Sequence, residues 1–115
     1  MNSEQLKKEL QQFIGTTAYH RLSICKTVAT DGVLHFCSNA GAFWLFDEIA
    51  WFTETQTKEP FVYVIAKSKD NKAEVVFEDG NGKQLGIRTF GYTDLPEGEW
   101  TFYVTDGVAM LPSEY

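Results

Sequence analysis

Basic residues are scarce in this sequence, and proline and cysteine are scarcer still. Ten lysines and arginines face sixteen aspartates and glutamates, so the 115-residue chain carries a net charge of −6. Nucleic-acid binding draws most of its affinity from clustered Lys and Arg, and here the ten are scattered, which makes nucleic acid a poor partner. Acidity of this kind keeps a protein in solution, and it also suits a basic protein partner. No apolar run approaches the ~18 residues a membrane-crossing helix needs. The opening Met1-Asn2-Ser3-Glu4 leads into a charged helical pattern, without the basic and apolar regions of a signal peptide. Only two cysteines occur, Cys25 and Cys37. Without an export signal they are expected to be reduced thiols, and the cytosol is the expected compartment.

What is present is a core. Nine Phe, five Tyr and three Trp sit within a 43% hydrophobic share, ample for one domain over residues 1–115. Ser3 reads as the N-cap of a helix running to about Phe13, with Leu6, Leu10, Phe13 and Ile14 as its apolar stripe and Gly15 as its end. Tyr19 to Val28 fits a strand or an irregular connection equally well. From Gly32 to about Glu54 the pattern is helical, as one helix or two short ones interrupted near Ala40-Gly41-Ala42. After Pro60 the period becomes two. Phe61–Lys67 is apolar on both faces, as in a central strand or one covered on both sides. Ala73–Asp79, Gln84–Phe90 and Glu99–Thr105 alternate, and the short polar links between the first three imply antiparallel neighbours. The fold class is therefore α+β, with N-terminal helices packed on one face of an antiparallel sheet of about four strands.

Register and facing can be argued further. A three-residue loop, Gly80-Asn81-Gly82, would set Phe77 opposite Leu85, Val75 opposite Ile87 and Glu74 opposite Arg88. Val75, Phe77, Leu85 and Ile87 would then face the helices together with Trp100, Phe102 and Val104. Val108, Met110 and Leu111 before Pro112 read as an extended segment docked on the fold.

Complete catalytic or ligand motifs are lacking. His20, Cys25, His35 and Cys37 are the soft metal ligands, but neither CxxC nor HxxxH occurs, and His35-x-Cys37 would diverge on a helix. No catalytic signature flanks either cysteine. Gly80, Gly82 and Gly86 fall in a strand–strand hairpin, where a phosphate loop would have to feed a helix. Asp31, Asp79, Asp94 and Asp106 lie in apparent turns, where Asp normally bonds its own backbone. No cofactor and no metal is expected.

Several segments follow one another in a recognisable order. They are Gly15-Thr16, Tyr19-His20-Arg21, Thr30-Asp31-Gly32-Val33 and Ala40-Gly41-Ala42-Phe43-Trp44-Leu45 with Asp47. Asp79-Gly80-Asn81-Gly82, Tyr92-Thr93-Asp94-Leu95-Pro96 and Leu111-Pro112-Ser113-Glu114-Tyr115 complete the series. The series resembles a family of small uncharacterised proteins of bacteria, cyanobacteria, plasmids and phages, over roughly Gly15 to Tyr115. The resemblance brings no established activity or catalytic residue. It implies a mobile-element context, in which small acidic proteins often act by binding host machinery.

One helical face stands out. At 100° per residue Ala42, Leu45, Phe46, Ile49 and Phe52 gather on a core side, and Trp44, Asp47, Glu48 and Trp51 gather on the other. Either the N-terminal helix covers the tryptophans with Leu6, Leu10 and Phe13, or the face is a contact site for a protein partner or a second copy, with the acids selecting basic groups. The sequence thus points to a small acidic interaction protein. The alternative is a small-molecule-binding protein or hydrolase with a pocket between helices and sheet, using His20, His35 or the turn aspartates.

Overall fold

The computed structural model describes residues 2–115. Helix α1 (Ser3–Leu10) is followed by strand β1 (Val28–Ala29) and helices α2 (Asp31–Ala40) and α3 (Phe43–Thr55). Strands β2 (Phe61–Lys69), β3 (Lys72–Glu78), β4 (Gln84–Phe90), β5 (Gly98–Thr105) and β6 (Val108–Met110) come next, then a 3-10 turn, Pro112–Glu114. One six-stranded sheet runs in the order β1-β6-β5-β2-β3-β4. All pairings are antiparallel except the parallel pair β1 and β6. The sheet is therefore mixed and has six strands, not the four antiparallel ones expected. The two extra strands span two and three residues, too few for alternation to register in a sequence. Between Tyr19 and Val28 the chain is mostly irregular, with His20 forming a single antiparallel bridge to Ala29.

Local chemistry sets the helix ends. Asn2, not Ser3, caps α1: its side-chain oxygen accepts the Gln5 N–H at 2.8 Å. The helix stops at Leu10, short of Phe13. Leu6 is fully buried and Leu10 and Phe13 pack on the core, but Ile14 lies beyond the helix and is 84% exposed. The second helical stretch is two helices. Thr30 caps α2, and Gly41 ends it in the left-handed conformation at φ 63°, where a side chain would be strained.

The helices cover one face of the sheet. Phe36 of α2, Phe46 and Ile49 of α3, and Val62, Val64, Val75, Phe77 and Phe102 of the sheet form one buried core. Phe36 meets Trp100 and Phe102 with ring centroids 5.3 and 5.2 Å away. β2 is central, as its composition requires, between β5 and β3. Its outer side chains Phe61, Tyr63 and Ile65 share the other face with Val76, Ile87 and Tyr103. Tyr115 packs over part of that face, against Phe61 and Tyr103.

The β3–β4 hairpin departs from the expected register. Phe77 pairs with Gly86, Val75 with Arg88 and Glu74 with Thr89, and the register shifts between Phe77 and Glu78, leaving Leu85 as an extra residue. The connection is built around Asp79, not on a three-residue loop. Its N–H donates to the Lys83 carbonyl at 2.9 Å, and its carboxylate accepts from the N–H groups of Asn81 and Lys83 at 2.8 and 2.9 Å. A slip of one residue turns every side chain over. Val75, Phe77, Trp100, Phe102 and Val104 face the helices as expected, whereas Ile87 lies on the open face and Arg88 on the helical one. The physical reason is Phe52. Its ring stacks on Phe77, with centroids 3.9 Å apart and planes 11° apart. A Cβ at position 86 would lie 2.6 and 2.8 Å from two carbons of that ring. Only glycine fits opposite Phe77.

The C-terminal segment is docked, as expected. β6 lies between β1 and β5, Ala109 and Leu111 are buried, and Tyr115 meets the rings of Phe61 and Tyr103 edge-on.

Replacing Gly86 by alanine is expected to destabilise the fold by about 1–3 kcal/mol, because the Phe52 ring is held against Phe77 and cannot yield. Phe52→Leu in the same chain should cost less than the two separate losses combined, as a urea-denaturation double-mutant cycle would show. Leu111→Ala is expected to lower stability by about 2–5 kcal/mol in the same assay.

Candidate functional site

The titratable residues singled out in the sequence fall into separate settings. Asp31, the first residue of α2, holds the segment before β1. Its Oδ2 accepts the Thr17 N–H and hydroxyl, each at 2.9 Å, and its Oδ1 lies 2.7 Å from His20 Nε2. The Thr16 hydroxyl accepts the Asp31 N–H at 2.9 Å and donates to the Ala18 carbonyl at 2.6 Å. The Thr17 backbone N–H, then His20 and the threonine hydroxyls, hold the Asp31 carboxyl well below the usual carboxylate range. Every hydroxyl around this pair is committed, so the arrangement is a latch without a free nucleophile.

Glu114 forms a second latch, from the C-terminal side. Its carboxylate accepts the Thr30 hydroxyl at 2.6 Å and the N–H groups of Gly32 and Leu111 at 3.1 and 3.0 Å. Negative charge is favourable at this end of α2. A Cβ on residue 32 would lie 2.6 Å from both Glu114 Oε1 and Leu111 Cδ1, so glycine is what admits the latch.

His35 pairs with Glu9 at 2.7 Å. Both cysteines are free. Burial pushes the Cys37 thiol up to about 12, with the Asp47 charge adding to it, and burial followed by the Glu54 charge raises Cys25. Neither is poised as a thiolate. Among the described residues no three of His, Cys, Asp or Glu converge as a metal site, and no helix is long and apolar enough to cross a membrane.

The flank of α3 that faces the sheet edge makes a groove with β4. Helix and strand run in opposite directions, and their contacts form rungs. Trp44 meets Phe90 with centroids 4.9 Å apart, Glu48 meets Arg88, and Phe52 covers Gly86. Four helical residues rise about 6 Å and two strand residues about 6.6 Å, so the rungs stay in step. Arg88 approaches Glu48 Oε2 at 3.3 Å and Oε1 at 3.4 Å, both long, and its guanidinium lies 4.9 Å from the Trp51 ring centroid. The buried Oε2 has no hydrogen bond among the described residues.

At the Trp44 end the groove widens into a cavity of about 410 Å³ between Gly41, Trp44 and Glu48 on one side and Phe90, Tyr92 and Asp94 on the other. Residues 91–97 place the latter pair by crossing the β2–β3 hairpin. The Thr93 N–H donates to the Asn71 carbonyl at 2.7 Å, and the Ser68 hydroxyl to the Leu95 carbonyl at 2.9 Å. The Tyr92 hydroxyl donates to Asp94 at 3.0 Å, which raises the phenol's pKa.

Of the four residues picked from the helical pattern, Trp44 and Glu48 line this cavity. Trp51 lies further along under Arg88 and is 43% exposed, and Asp47 is exposed. The tryptophans lean on the edge strand, while α1 packs beside α2, with Lys7 over the Trp100 ring. Arg88, Phe90, Tyr92 and Asp94 were not legible as partners of this face. The one available signal was a lone arginine in a strand whose neighbouring helix presents a glutamate beside two tryptophans.

Asp31→Asn is expected to be less stable than the parent at neutral pH, and the gap should begin to narrow as the pH falls through about 4. The unfolded carboxyl takes its proton near 3.8 and the folded one lower. In that window the unfolded state binds more protons, so the latch's contribution falls as pH falls. Urea titrations from about pH 7 to about pH 3 check this.

No curated protein and no solved structure matches the sequence. A family match covers residues 4–115, and on it the chain belongs to the family of unknown function DUF6876.

Proposed function

We propose that this is a non-catalytic interaction protein, which meets a protein partner through the α3 face bearing Trp44, Asp47, Glu48 and Trp51. The observation that carries the reading is Trp51, a large aromatic left 43% exposed beside carboxylates on a small domain. Exposed aromatics of this size mark contact sites, and Trp is enriched at interface hot spots. In the mobile-element context that the family resemblance implies, the partner would be a host protein. The pairing of His20 with Asp31 is what a small-molecule or hydrolytic reading would build on. Its hydroxyl neighbours are all engaged in the latch, which favours the interaction reading.

Trp51→Ala separates a surface from a core. Replacement of a buried tryptophan costs about 3–5 kcal/mol, whereas here the loss is expected to stay below about 1 kcal/mol. Affinity capture with mass spectrometry should recover a partner with the parent chain and lose it with the folded variant. An unfolded variant, or the same set of captured proteins from both, would overturn the reading.

A further inference from the structure

Strand β4 ends the sheet. Six of its seven residues pair with β3, and on one side only, so alternate backbone N–H and C=O groups point outward. The opposite edge, β1, has two residues and is bridged by His20. Sheet edges are ordinarily guarded against strand addition by lysine, proline, bulges or inward-pointing charges. Gln84–Phe90 contains neither lysine nor proline, its bulge is confined to the Leu85 end, and its one inward charge, Arg88, is engaged by Glu48 and Trp51, which leaves Gly86–Phe90 as a regular edge. A strand added to β4 would carry every second side chain on the helical face, alongside the rungs of α3. The cavity at the Trp44 end would receive one of them. Its walls are aromatic, it bears the carboxylates of Glu48 and Asp94, and no Lys or Arg lines it. Aromatic faces combined with carboxylates favour a cation.

We infer that the β4 edge is a strand-addition site for an extended segment of another protein, with Lys or Arg at its helix-facing positions. This deepens, and rests on, the reading of the α3 face as a contact surface. Main-chain hydrogen bonds to β4 supply affinity, and the groove reads alternate side chains. Charge complementarity selects the occupant. A second copy laid edge to edge would bring another net charge of −6, with its own Asp47, Glu48 and Asp94, against the same acids. A basic segment meets them with opposite charge.

The probes are acetylated, amidated octapeptides: alternating Lys-Val, its Glu-Val counterpart, and the Lys-Val peptide N-methylated at every second residue. The parent chain should bind the Lys-Val peptide saturably, with slowed amide exchange confined to β4 and shifts at Trp44 and Trp51. The Glu-Val peptide, the N-methylated peptide, and the double variant Glu48→Gln/Asp94→Asn with the parent peptide should each be at least about tenfold weaker. Absence of saturable binding to the Lys-Val peptide overturns the proposal. If binding is lost in Trp51→Ala but survives N-methylation without β4 protection, the contact face stands and strand addition falls. If binding is untouched by Trp51→Ala, the contact face falls as well. A dimer that protects β4 without any peptide assigns the edge to a second copy and overturns the basic occupant.

Discussion

The flat stack of Phe52 on Phe77 is the contact from which the arrangement of this domain follows. It places α3 so close above β3 and β4 that the position opposite Phe77 has no room for a Cβ. Glycine at 86 therefore fixes the pairing of β4, and the pairing fixes which of its side chains meet the helices. Arg88 goes under α3 and Ile87 goes out. Had the strand paired one residue earlier, an isoleucine would lie against the helical layer and the arginine would be in solvent. The groove between α3 and β4 is thus a product of a single aromatic contact and the small residue it demands.

The acidity of the chain has a second role beside solubility. Asp31, Glu54, Asp79 and Glu114 each accept two or more donors from segments without regular structure. Glu54, at the end of α3, takes the N–H groups of Lys26 and Thr27 and the Thr27 hydroxyl. Burial pushes its carboxyl up, but these donors outweigh that and hold it below the ordinary value. Backbone groups in irregular chain lack the partners that helices and sheets supply, and carboxylates provide them here. A share of the negative charge therefore organises the loops, while Glu48 and Asp94 line the cavity beside α3.

Much of the architecture was legible because the signals are local. Alternation located β2 to β5 within two residues, and Gly41 announced the break between α2 and α3. The core stripe of α3 followed from spacing alone, since Leu45, Phe46, Ile49 and Phe52 are all buried. β1 and β6 escaped because two or three residues show no period. The register of β4 escaped because its cause, Phe52, lies in another element more than thirty positions away, and a hairpin argument confined to its own loop cannot see it. For the same reason one wall of the groove could be read and the other could not. Trp44, Glu48 and Trp51 share a helix, whereas Tyr92 and Asp94 arrive through a connection that folds back over the β2–β3 hairpin.

Glu114 closes a loop of the chain, joining residues 84 and 82 positions apart through Thr30 and Gly32. β1 pairs with β6 and is bridged once by His20, and the 3-10 turn holds β1's neighbour Thr30, so β1, β6 and the turn are tied to one another at one edge of the sheet. The segment around residues 28–32 and the segment around residues 108–114 are therefore expected to open together in native-state exchange. Their amides should exchange through an opening distinct from that of the β2–β3–β4 meander, which is held by hairpins close in sequence.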